Sequence, residues 1–400
     1  MIFVWNAQTA EKLYFMTLPR GSRGVSAVAF SPDGLLVAAA DMTDDYKLHI
    51  FDLKDSPVKG KVPLLCTCKS DRKKIQQVLF VPAAPTQLLS VSTESFISWT
   101  LTRQAKPGNA TLTKTVNKNP APVPTPFGFS SLAISDKDST AFLGASDGCI
   151  YRFKGGLGKG EKLHDKMVSA VKIRVDEKNT EILLTGSLDC TVKIHRIAGT
   201  GLQLLNTFSV DGAPRSLDML AGKILVGTSY GTIQEINEKT KASEDLIRSH
   251  SDGEVWGLCM IDEVGTSRYL TSGDDNNLLL YDITLRKVVG KGTVSADPSS
   301  TKKFMGGAST MSKRPTHQQS RALAYNSELN HLAVGQNNGA VSIRVVEGLE
   351  MDDKKLIDLD RVFQTLTDSS EWIEFMAYSP KYTYLAVGSH DNSIYIYTVG

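Results

Sequence analysis

Apolar and polar positions alternate along most of the chain in short bursts. From Trp372 to Val399 the sequence reads WIEFMAYSPKYTYLAVGSHDNSIYIYTV. It contains an alternating apolar run, a Ser-Pro turn, a second short run closing on Gly-Ser, an acidic turn and a third alternating run. Alternation with a period of two places apolar side chains on one face of a strand. The same order recurs over Val25–Leu53, Ile75–Leu101, Phe129–Phe153, Val168–Ile197, Pro214–Ile236, Val255–Ile283 and Arg321–Val346, giving about eight units.

Each unit holds three runs of roughly 4–7 residues rich in Val, Ile, Leu, Tyr and Phe, too short for helices. Asp33-Gly34, Asp147-Gly148 and Tyr230-Gly231 supply hairpin turns, because glycine tolerates the positive φ such turns demand. A fourth, outer strand falls between units, as in Lys12–Leu18 or Leu202–Phe208. Four strands on a period of about 40–50 residues predict an all-β chain of WD-repeat β-propeller blades. No amphipathic helix of three or more turns stands out.

A complete WD repeat couples a His before the first strand, a Ser or Thr on the second, an Asp in the next turn and a Trp on the third. His164, Thr185 and Asp189 fill three of these places, with His195 where Trp is usual. His250, Thr271 and Asp275 fill them again, with Tyr281 in the Trp position. An ionised Asp only accepts hydrogen bonds, so it suits a buried His donor. Asp391 and Tyr397 lack a His partner, and Trp99 has no Asp turn.

DGEVWGLCM (Asp252–Met260) followed by RYLTSGDDNNLLLYD (Arg268–Asp282) resembles a blade of the echinoderm microtubule-associated protein-like (EMAP-like) family. AYSPKYTYLAVGSHDNSIYIY (Ala377–Tyr397) is similar to that family's most recognisable stretch. IFVWNAQTAEKLYF, then GVSAVAFSPDGLLVAAADMTDDYKLHIFD, keeps the family's blade order. The resemblance runs end to end, moderate around Ser130–Phe153 and weak across Ser295–Gln319. It implies two propellers side by side and binding to tubulin or microtubules.

The ends add a topological expectation. Ile2–Trp5 reads as a third strand and Lys12–Leu18 as an outer one, whereas the C-terminus stops after its own third strand, Ser393–Val399. A self-closing ring pairs an N-terminal outer strand with the last blade, which would leave Ile2–Trp5 redundant. The chain is therefore expected to be part of a longer polypeptide. Residues 1–245 would be blades of a first propeller and residues 246–400 would begin a second, with one eight-bladed ring as the alternative.

Composition narrows the partners. Lys+Arg number 45 and Asp+Glu 43, a formal +2, without the whole-domain basic excess of a nucleic-acid binder. Five scattered cysteines fit a reduced compartment. The N-terminal stretch lacks a signal-peptide pattern and no apolar run reaches membrane-spanning length, so the protein reads as soluble, cytoplasmic or nuclear.

Chemistry-bearing motifs do not assemble into an enzyme. Ser389-His390-Asp391 holds triad residue types, but neighbours on a strand and turn cannot adopt triad geometry. The tract Gly155–Gly160 lacks the Gly-Lys-Ser/Thr ending of a phosphate loop. Cys66 and Cys68 have no second ligand pair for zinc. No catalytic residue, metal site or cofactor is expected, and no nucleic acid, membrane or small-molecule substrate.

Basic loops remain. Arg103, Lys106, Lys114 and Lys118 lie in one stretch, and Lys302, Lys303, Lys313 and Arg314 in another. Lys69, Arg72, Lys73 and Lys74 form a third cluster, interrupted by Asp71. Loops on a rigid rim are where propellers carry recognition, and several weak contacts add on an acidic polymer. The expectation is a non-enzymatic cytoskeletal module that binds tubulin, microtubules and other cytoskeletal proteins, located in the cytoplasm, cytoskeleton, or a ciliary or flagellar axoneme. The alternative is a general WD-repeat scaffold or adaptor in an unrelated multiprotein complex.

Overall fold

The computed structural model describes residues 1–54, 60–104, 109–117, 127–175, 179–199, 201–250, 254–263, 266–294, 319–347, 356–381 and 383–399. Among them every helix or strand is a β-strand, and the strands form nine sheets, six of them four-stranded. The chain falls into two compact units. One comprises Met1–Ser229 with Gln234–Glu244, the other Tyr230–Ile233 with Asp245–Gly400.

In the first unit, Ile2–Trp5 pairs antiparallel with Lys12–Met16, and Gly60–Lys61 joins the latter in parallel. Full blades follow. In one, Ile75–Val81, Ala84–Ser92, Phe96–Arg103 and Ala110–Asn117 pair antiparallel in sequence order. The others start at Val25, Phe129, Val168 and Pro214. Strands Leu36–Asp41, Ala141–Ala145 and Glu181–Ser187 are buried at every position. These second strands lie mid-sheet with both faces covered, so their sequences run apolar or small throughout instead of alternating.

The core therefore lies between sheets. Ala38, Leu48 and Ile50 of one blade pack with Val78, Leu88 and Trp99 of the next. Leu89, Val91 and Phe96 pack in turn with Phe129, Leu132 and Leu143. Close approach is set by glycines late in the second strands. A Cβ on Gly186 would lie 2.6 Å from the Cβ of Pro214 in the following blade. No side chain fits there, which explains the Gly-Ser and Gly-Thr punctuation of the sequence.

The second unit carries three sheets whose first strands are Val255–Glu263, Ser320–Asn326 and Ile373–Tyr378. Ile357–Asp358 adds a fifth, parallel strand to the first of these, beside Lys287–Thr293. Arg344, fully buried, donates to the carbonyls of Thr293 and Val294 at 2.6 Å each and of Leu359 at 3.0 Å. Burial pulls its guanidinium down to about 10, and these acceptors offset the cost of enclosing the charge.

Candidate partner-binding surfaces and blade networks

The His–Thr–Asp sets meet as side chains. His164 Nδ1 lies 3.0 Å from Asp189 Oδ2, and its Nε2 lies 2.9 Å from Thr185 Oγ1. Burial holds the His164 imidazole below its ordinary value. The neutral ring then donates from Nδ1 to the carboxylate and accepts the Thr185 hydroxyl at Nε2. Burial raises Asp189, but hydrogen bonds from Thr191 and His164 outweigh it and leave the carboxyl low. His250 repeats the arrangement, with Asp275 at 2.8 Å and Thr271 at 2.9 Å.

Asp391, with no His in view from sequence, accepts the Tyr395 hydroxyl at 2.7 Å and the Ser393 amide at 2.9 Å. Asp147 does the same with Tyr151 at 2.7 Å and the Cys149 amide at 2.9 Å. Sequence reasoning missed this variant, whose signal is an Asp four residues before a Tyr. It also missed Asp41 and His49, buried together at 2.9 Å. Trp99 Nε1 donates to Ser90 at 2.8 Å, and Tyr397 hydroxyl to Asp368 at 2.8 Å. One architectural need, a tether between turn and strand, is thus met by different residue pairs.

The triad residue types diverge. Ser389 Oγ meets Ser369 Oγ at 2.7 Å, His390 meets Glu374 at 2.8 Å, and Asp391 serves Tyr395. Glycines of the 155–160 tract turn a hairpin, with the Gly158 amide on the Arg152 carbonyl at 2.8 Å. Cys66 and Cys68 are half-buried free thiols, and burial pushes Cys66 up to about 11. Among the described residues no group of three or more His, Cys, Asp or Glu could hold a metal.

The basic positions fare unevenly. Arg103 is ion-paired with buried Asp52 at 2.7 Å, and Lys114 Nζ donates to the Ser70 carbonyl at 2.7 Å. Lys69 pairs with Asp45 at 2.9 Å and Lys73 with Glu94 at 2.8 Å. Lys106, Lys118, Lys302, Lys303, Lys313 and Arg314 lie outside the described residues.

Repeated four-stranded sheets, several of them tethered at a turn through Asp, define a chain of WD-repeat β-propeller blades. The WD domain, G-beta repeat family matches residues 14–52 and 361–398. A ciliary WD repeat-containing protein, ctxp80, of Euplotoides octocarinatus is 33% identical over 401 residues, covering 99% of this chain and 51% of that protein. Echinoderm microtubule-associated protein-like 3 of Mus musculus is 25% identical over 427 residues, covering 100% of this chain and 42% of that protein. The 77 kDa echinoderm microtubule-associated protein of Strongylocentrotus purpuratus is 25% identical over 403 residues, covering 99% and 51%. The chain fits the EMAP-like WD-repeat family. It spans about half the length of the curated relatives it matches.

Proposed function

We propose that this chain is a non-enzymatic, microtubule- or tubulin-binding part of a cytoskeletal WD-repeat protein, with the cilium as one site of action. The observation that carries the reading is similarity along the whole chain to proteins named as ciliary and as microtubule-associated. Its two units would then belong to two tandem propellers. Arg103, Lys114, Lys69 and Lys73 already have partners within the chain, so the recognition role falls chiefly on Lys302, Lys303, Lys313 and Arg314, together with Lys106 and Lys118.

Co-sedimentation with microtubules tests this. The chain should pellet at low salt and release as ionic strength rises past the point where surface charges are screened. Reversing Lys302, Lys303, Lys313 and Arg314 to Glu should weaken pelleting at least about tenfold, since four surface contacts add. Failure to pellet at low salt overturns the reading. Undiminished pelleting of the reversed chain moves the contact to another surface.

A further inference from the structure

The first strands of the second unit share an irregular start. Register shifts at Val255/Gly257, Ser320/Ala322 and Ile373/Phe375 leave Trp256, Arg321 and Glu374 as extra residues in β-bulges. Bulges re-aim side chains out of the ladder. Here they bring residues of three blades together: the Arg321 guanidinium carbon lies 4.2 Å from the ring centre of Trp256 and 4.2 Å from that of Trp372. Arg321 Nη1 donates to Glu374 at 3.0 Å, and His390 Nε2 lies 2.8 Å from the same oxygen. Trp256 is fixed by its own donor, Nε1 to Asp274 at 2.9 Å.

Two of the corresponding bulges of the first unit, at Ser130 and Ser169, serve another end. Ser169 donates to the Pro214 carbonyl of the following blade at 2.5 Å, and Ser130 to the Val168 carbonyl. Such hydroxyls stitch blades and present little to solvent. Trp256, by contrast, is 41% exposed. In the first-strand starts and adjoining turns of the second unit, Glu254, Asp274, Glu371, Glu374 and Asp391 stand against Arg321 and His390 among the described residues, while Asp275 is buried against His250. The rim is thus acidic, with two oriented indoles at its centre that already hold one guanidinium.

We propose that this rim docks an arginine-bearing basic segment of a partner protein. A guanidinium is planar, so it stacks on an indole and offers a fork of donors to a neighbouring carboxylate at once. An ammonium can do the second with one point charge but not the first in the same geometry. An acidic polymer is disfavoured on this surface, so the partner proposed here differs in charge from a microtubule.

The test uses the purified chain and three labelled peptides, hepta-arginine, hepta-lysine and hepta-glutamate, read by fluorescence anisotropy. Hepta-arginine should bind about fivefold or more tighter than hepta-lysine, the advantage that stacking confers. Trp256→Ala should remove that advantage while leaving hepta-lysine nearly unchanged, and Glu374→Gln should weaken both basic peptides. Trp256→Phe, which retains a ring, should give an intermediate value, and it keeps the test readable if the alanine variant unfolds. Equal binding of the two basic peptides, indifference to both Trp256 variants, or preference for hepta-glutamate overturns the proposal. Peptide binding is read on the chain alone and microtubule pelleting without peptide, so this proposal and the microtubule reading can fail separately.

Discussion

His195 fills the place usually held by Trp and is almost completely buried, with Nδ1 lacking a partner among the described residues. Burial pushes its imidazole down to about 4, from an ordinary 6.5. The unfolded chain therefore takes up this proton first as pH falls. Stability from the neutral ring is fully present above 6.5 and is lost progressively as pH drops toward about 4. The loss amounts to about 3 kcal/mol over that window, with His164 adding in the same direction. The urea midpoint should fall between pH 7 and pH 4.5, about one unfolded-His titration, and His195→Gln should flatten that fall. A variant with the full parental slope would assign the titration elsewhere. At this scale the sequence was partly legible. His164, Thr185 and Asp189 sit at family spacing, whereas Asp41 and His49 are separated by the longer turn MTDDYK, which hides their pairing.

At the scale of the strand, the closest inter-blade contacts rest on glycine. A Cβ on Gly335 would come 2.6 Å from Ile373 Cγ2 and 2.9 Å from its Cβ, in the following blade. The equivalent Gly388 meets only Phe375 of its own sheet, at 3.8 Å or beyond. Gly335→Ala should cost about 1–3 kcal/mol through overpacking. Gly388→Ala should stay within about 0.5 kcal/mol. Chemical denaturation of the two variants distinguishes them, and equal costs would contradict this account of blade spacing. Alternating runs and Asp-Gly turns make the strands readable in the sequence. The first-strand bulges were not readable, because a single extra residue leaves the apolar alternation almost intact. The Trp256–Arg321–Trp372 stack stayed hidden for that reason, and because its members lie on three successive repeats.

Across the molecule, the repeat in the sequence is offset from the sheet in space. The family match at residues 361–398 takes in the outer strand Val362–Leu366 and then the three strands of the following sheet. The match at 14–52 likewise begins on Lys12–Met16 and ends on Lys47–Asp52. Each repeat therefore leaves one strand in its neighbour's sheet. A protease site engineered between Asp282 and Lys287 should yield two pieces that co-elute on native size exclusion and part only in denaturant. The strand Lys287–Thr293 stays hydrogen-bonded to Asn277–Asp282 across the cut, so separation under native conditions would count against this interlock. The alternating runs make the blade fold legible, while the pairing of Arg103 with Asp52 is not, since it joins neighbouring blades.

That offset bears on how such chains grow. A duplicated repeat inserts an outer strand for the sheet before it and three strands awaiting the outer strand of the repeat behind. Every inherited copy thus arrives with its seams already matched, and lengthening by one repeat exposes no unpaired backbone at the junction.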